Sequence, residues 1–240
     1  MEDKKISQSM DFVAEEKVLD NFLKARVQYI KDNKYPAILI ADPTARFVMH
    51  FVPEKFQEIE FDIKKLAQPA NYLPPFGEDK KTVIFDYNFD GLIFYSTIHE
   101  KHAYTQVFRD GRTETVFAIA QRTHDGRGNE FFPLRLQKRF TASLSNHLAV
   151  MNRLSLPGPY YLYLRFLSVE NIRISVDDIA KSGYEGKARN KPLPLNELIF
   201  PRYKLDDAHV DVKKCLQPFF DTIWNAFGFQ ETPHLKKAKS

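Results

Sequence analysis

"NFDGLIFY", residues Asn88 to Tyr95, sets an acid and a glycine directly before a run of apolar and aromatic residues. A catalytic carboxylate at the mouth of a strand needs a partner: a second carboxylate, an imidazole or a metal. Asp86 is the nearby acid, and its spacing from Asp90 matches no diagnostic pattern. Asp-Gly after an aromatic is turn chemistry, so Asp90 reads as a turn residue. Two other strings, Asp62-Ile63-Lys64 and Glu185-Gly186-Lys187, fit the acid-x-Lys pattern of metal-dependent nuclease cores. Three letters arise by chance in a chain that is 28% charged. His99 and His102 stand i, i+3 in a polar linker, His50 sits in a strand and His147 on a helix, with no HExxH string. The single cysteine, Cys215, excludes an intrachain disulfide and a cysteine-based zinc site, and its place on an amphipathic helix predicts a buried, inert thiol. There is no GxSxG and no Gly-rich phosphate loop. Neither a metal nor a cofactor is expected.

Two surfaces have the residue types that bind nucleic acid. "YYLYLR" puts Tyr161, Tyr163 and Arg165 on one face of a strand, where rings and a guanidinium can stack on bases. In "YTQVFRDGRTETVFAIA", Asp110-Gly111 predicts a two-residue type I′ hairpin turn that sets Arg109 opposite Arg112, Phe108 opposite Thr113 and Tyr104 opposite Phe117. A like-charge cross-strand pair invites an anion, or the nearby Asp110 and Glu114. The basic charge itself is clustered. Lys181, Lys187, Arg189, Lys191, Arg202 and Lys204 face only Glu185 and Glu197 in that stretch, 6 − 2 = +4, which equals the net charge of the whole chain. Such a cluster attracts polyanions, although a solvated loop has the same composition.

The elements that must position these residues follow from hydrophobic period. Residues 10–33 read as a helix through Val18, Leu19, Phe22, Leu23, Val27 and Ile30. "RFVMHFVP" reads as a strand, "EIEF" as a short one, and residues 68–81 as a Pro-rich loop. Leu136, Phe140, Leu144, Leu148 and Met151 predict a helix over 134–154. "YYLYLRFLSV" is then a strand, with "IRISV" as its hairpin partner across Glu170-Asn171. "NELIFPRYKL" is a strand interrupted by Pro201. A last helix begins at Asp206 or Asp207 as N-cap, buries Leu216, Phe219, Phe220 and Ile223, and closes at Gly228 with Phe229 making the apolar contact of the cap.

These elements define an α+β protein, a largely antiparallel sheet packed with three main helices. Of the 240 residues, 43% are hydrophobic, with 21 Phe and 11 Tyr, enough for a thick core. Residues 1–9 are expected to be disordered, 10–230 to form one α+β domain, either undivided or as two lobes joined by helix 134–154, and 231–240 to be a flexible basic tail. The polar N-terminus and the lack of a long apolar run predict a soluble, cytoplasmic protein without a membrane partner.

"YNFDGLIFY", "YTQVFRDGRTE", "PYYLYLRFLSVENIRI" and "LQPFFDTIWNAFGF", taken in order, resemble the C-terminal region of bacterial Schlafen-like proteins. The likeness runs from about Phe22 to Phe229. In that family an Alba-type domain, associated with nucleic-acid binding or cleavage, precedes this region. Only a helix precedes "RFVMHFVP" here. The resemblance therefore implies an accessory region standing alone, as a short protein or a piece of a longer one, in a regulatory or defence context. The expected function is a non-enzymatic, protein-binding accessory domain. A nucleic-acid-binding protein that uses Tyr161, Tyr163, Arg165, Arg109, Arg112, Lys187, Arg189 and Lys191 is the second expectation, and a metal-dependent nuclease the third.

Overall fold

A computed structural model describes residues 2–36, 45–70, 73–76, 83–96, 103–122, 129–175, 178 and 191–233. The chain divides into two units, residues 1–38 and 39–240. The boundary thus falls before the first strand, and the helix expected to join two lobes lies wholly inside the second unit.

The first unit is the helix α1 (Glu2–Lys31). It begins well before Met10 and includes most of the segment expected to be disordered; no Gly or Pro precedes Pro36 to interrupt it. Its end is local. Asn33 takes the left-handed conformation (φ 52°), the Lys34 N–H bonds the Tyr29 carbonyl at 3.0 Å, and the Asn33 N–H bonds Ile30 at 3.2 Å. This is a Schellman cap, so the helix stops before Pro36 is reached.

The second unit is built on an eight-stranded antiparallel sheet. Its strands are β1 (Arg46–Pro53), β2 (Val83–Asn88), β3 (Gly91–Ser96), β4 (Ala103–Phe108), β5 (Thr113–Ala118), β8 (Tyr160–Leu167), β10 (Glu197–Ile199) and β11 (Tyr203–Leu205). The order is β10-β8-β1-β5-β4-β3-β2, with β11 also on β8. Helices α2 (Ile63–Ala70), α3 (Pro133–Arg153) and α4 (Val212–Ala226) complete the unit. The alternation of β1 and β8 explains one face: Phe47, Met49 and Phe51 stand beside Phe166, Leu164 and Leu162. Phe140 of α3 and Phe219 of α4 meet over Phe47, with ring centroids 5.1 and 6.0 Å from it. Rings at these separations add attraction beyond their buried area. A second sheet joins β6 (Ala120–Arg122), β7 (Asn129–Phe131) and β9 (Arg173–Ile174), the last pair parallel.

The α+β class and the antiparallel main sheet hold. Several local expectations do not. Arg173–Ile174 does not return along β8, because β10 and β11 occupy that edge. Ser168 and Asn171, at φ 57° and 63°, turn the chain away, and it pairs with β7 instead. "EIEF" is not a strand; a 3-10 turn over Phe56–Glu58 takes its first residue. The helix α2 occupies part of the expected loop. The N-cap of α4 is Asp211, which accepts the N–H groups of Lys213 and Lys214 at 3.1 and 3.2 Å, while Asp207 closes a tighter turn onto His209. At the other end of α4, the Phe229 N–H bonds Trp224 and their rings meet edge to face at 5.0 Å, as the sequence predicts.

Candidate interaction surface

On the face of the main sheet opposite Phe47, a row of polar side chains crosses four strands. Tyr163, His50, Glu114 and Gln106 are successive cross-strand neighbours. Glu114 accepts the Tyr104 hydroxyl at 2.8 Å and lies 3.0 Å from His50 Nε2. Gln106 and Asn88 exchange amide hydrogen bonds at 2.6 and 3.2 Å. Carboxylate, imidazole and phenol are the groups of general acid–base catalysis, and that chemistry needs access to a substrate. His50 is 1% exposed, and Glu114 and Tyr104 are 0% exposed. The hydrogen bonds instead satisfy buried polar groups, which would be unfavourable without partners.

The other chemical candidates among the described residues are also absorbed by structure. Asp62 Oδ1 accepts the Lys64 N–H at 2.7 Å and starts α2, so that acid-x-Lys string is a helix start. Asp178 receives the Leu134 N–H at 2.9 Å, a carboxylate at the N-terminus of α3. Residues 89–90 form a turn, as expected of Asp90. The cap there is Asn88, whose Oδ1 accepts the Gly91 N–H at 2.9 Å. Gly91 is required: its φ is 145°, and a Cβ would collide with the Val107 carbonyl. His147 is buried, with Nδ1 2.8 Å from the Ser143 carbonyl, and desolvation lowers its pKa to about 4 against the opposing effect of that hydrogen bond. Cys215 is half-buried and not fully buried as expected; desolvation, then Asp211, raises its pKa, which keeps the thiol protonated. Glu185, His99 and His102 lie outside the described residues. Among the described residues, no three His, Cys, Asp or Glu side chains cluster to hold a metal.

Tyr161, Tyr163 and Arg165 do share one half-buried face of β8. The register adds Lys204 beside Tyr161, and Arg202 lies 5.0 Å over the Tyr161 ring. Acids accompany these bases. The Tyr161 hydroxyl donates to Glu54 at 2.8 Å, and Lys204 pairs with Asp206 at 3.4 Å. Burial, then the Glu54 hydrogen bond, raises the Tyr161 pKa to about 12.

The second surface is corrected in detail. Arg109 does not face Arg112. The Phe108 N–H bonds the Arg112 carbonyl at 2.9 Å, so Arg109, Asp110 and Gly111 form a three-residue loop, with Gly111 alone at positive φ (82°). Tyr104 consequently opposes Val116, not Phe117, and Val107 opposes Thr113. The Arg109 carbonyl accepts the Phe61 N–H at 2.8 Å and its N–H bonds Asp90 at 3.1 Å, so tertiary bonds select this longer loop. Arg112 Nε donates to Asp110 at 2.8 Å while its guanidinium covers Phe56 at 4.6 Å. Lys191 is exposed, and Lys187 and Arg189 lie outside the described residues.

What the sequence does not signal is the edge formed by β2. It ends the strand order, and Ile84, Phe85 and Tyr87 are 42%, 43% and 56% exposed. Phe89, in the turn that follows, is 95% exposed. Phe85 and Tyr87 meet edge to face at 5.7 Å, and Phe85 rests 5.8 Å from the buried Phe94. A strand edge lined with exposed rings is a template for another chain. The apolar and aromatic letters of β2 are visible in the sequence; only the strand order places them at an edge.

No family model, curated protein or solved structure matches the chain.

Proposed function

We propose that this chain is a non-enzymatic accessory domain whose role is to bind another protein chain, in the Schlafen-like regulatory or defence context that the four quoted segments suggest. One observation carries this reading: the exposed Ile84, Phe85, Tyr87 and Phe89 along β2, while among the described residues His50, Glu114, Asp62 and Asp178 are engaged in internal hydrogen bonds. Exposed aromatics grouped in one place favour association. Affinity capture by the wild-type chain and by a folded Ile84→Lys/Tyr87→Lys variant tests it. The reading expects protein association, with itself or another chain, that the variant loses. Equal capture by both overturns it.

A nucleic-acid-binding role is the second reading, favoured by Tyr161, Tyr163 and Arg165 on one face with Arg202 and Lys204 beside them. The acids Glu54 and Asp206 among these bases weaken it, because affinity for nucleic acid rests on excess positive charge. Oligonucleotide titrations at low and high salt separate the two. Binding that weakens steeply with salt and is lost in Tyr163→Ala/Arg165→Ala supports the second reading. The metal-dependent nuclease reading has least support, since Asp62 is a helix start.

A further inference from the structure

The hydrogen-bond alternation of the sheet determines what β2 offers. The bonds from Phe108 N–H to Arg112 and from Arg109 N–H to Asp90 set the phase of the antiparallel ladder. Carried through the β4–β3 and β3–β2 registers, that phase points the backbone groups of Asp86 and Asn88 toward β3 and those of Val83, Phe85 and Tyr87 outward. The Tyr87 N–H confirms this direction: its acceptor is the Asp86 carboxylate, at 3.0 Å, not a strand.

We propose that β2 pairs antiparallel with β2 of a second copy of this chain, about a two-fold axis at Phe85, to join two main sheets into one. This names the occupant of the surface identified above and rests on that reading. In this register Phe85 opposes its own counterpart, with both pairs of backbone groups exchanged. Tyr87 opposes Val83 of the second copy, and Asp86 opposes Ile84. Phe85 and Tyr87 then line one side of the junction, and the lone charge of the strand meets an aliphatic neighbour. The adjacent register, Asp86 against Asp86, sets like charges opposite and is disfavoured. Pairing also gives the Tyr87 N–H a carbonyl partner and returns the Asp86 carboxylate to water.

Area gives the strength. The exposed parts of Phe85, Tyr87 and Phe89 amount to about two whole rings, roughly 400 Å² per copy at about 150–250 Å² per ring. If both copies covered these rings completely, a pair would bury at most about 800 Å² of ring surface before Ile84 and the backbone are added, below the roughly 1,000 Å² that separates specific from adventitious contacts. The geometry therefore sets a reversible dimer, not a permanent one. The opposite end of the sheet shows why β2 is the choice. There Pro201 interrupts the edge between β10 and β11, and Lys204 charges it, two devices that prevent strand addition. Between Val83 and Asn88 there is no Pro and no Lys.

Sedimentation velocity of the full chain from about 1 to about 300 µM spans the relevant affinities. The weight-average mass is expected to rise from 28.0 kDa toward twice that value. Phe85→Lys and Ile84→Lys should raise the dissociation constant at least about tenfold. Ile199→Lys, on β10, should leave it unchanged. Hydrogen exchange on the wild-type chain gives an independent reading that needs no variant: the Phe85 and Tyr87 amides should be protected at high concentration and not at low. A chain that stays at 28.0 kDa with concentration-independent exchange at both amides overturns the proposal, as does a dimer that persists in folded Phe85→Lys. A monomer that still captures another protein through β2 overturns the dimer and leaves the partner-binding role standing.

Discussion

The centre of the main sheet and its β2 edge distribute polarity in opposite ways. At the centre, His50, Glu114 and Tyr104 are sealed from water; at the edge, Phe85 and Tyr87 are open to it. The centre tolerates a carboxylate because its neighbours across the strands supply hydrogen bonds to it. The edge keeps its rings exposed because β2, among the described strands, has a neighbour on one side only. Residue type alone therefore does not separate inside from outside in this sheet. Satisfaction of hydrogen bonds decides the centre, and strand order decides the edge.

The largest test of this contrast is at the centre. Glu114→Ala leaves His50 and Tyr104 without their shared acceptor, and loss of a buried acceptor typically costs about 1–3 kcal/mol for each donor that relied on it. Urea unfolding should show that loss, and a change under about 1 kcal/mol would mean that water reaches the row. On the opposite face, Phe140→Ala and Ile223→Ala should each destabilise by about 2–5 kcal/mol, because both side chains are buried. These cavity effects calibrate the polar one: if Glu114→Ala matches them, the row contributes to stability on the scale of the apolar core.

His147 sharpens the comparison through pH. Its folded pKa of about 4 lies below the ordinary 6.5, with desolvation the main cause. Between these values the unfolded chain binds a proton that the folded chain does not, so stability falls as pH drops from 6.5 toward 4 and is flat above 6.5 for this group. The full effect is about 3 kcal/mol, at about 1.4 kcal/mol per pH unit. Urea midpoints across pH 4 to 7 should show this slope, and His147→Gln should flatten it. An unchanged slope in that variant assigns the pH dependence to other groups.

The two regions also differ in how far the sequence reveals them. Helix α3 is legible nearly to the residue, since Leu136, Phe140, Leu144 and Leu148 repeat at helical spacing and are all buried. Strands β1 and β8 are equally plain in "RFVMHFVP" and "YYLYLRFL". The cluster of His50, Tyr104 and Glu114 is not legible, because its members come from three strands, and His50 and Glu114 are 64 positions apart. No local spacing encodes that meeting. The Asp110-Gly111 register fails for a related reason: Phe61 and Asp90, remote in sequence, bond to Arg109 and fix the loop. For the edge, the aromatic letters of β2 are visible, yet the same letters in a central strand would be core.

The smallest expected effect on stability is at β2, and it is the most diagnostic of the contrast. Tyr87→Ser removes a ring that is already 56% exposed, and the hydrogen bond of Tyr87 to the Asp86 carboxylate is made by its backbone N–H, which the substitution keeps. Surface substitutions of this kind usually shift stability by no more than about 0.5 kcal/mol. A thermal melt at low micromolar concentration, where the chain is monomeric, should reproduce the wild-type midpoint. At high concentration the two should part, because dimerisation stabilises only the chain that can pair. A large loss at low concentration would show that the ring supports the monomer fold, and the edge would then belong with the centre as a structural element.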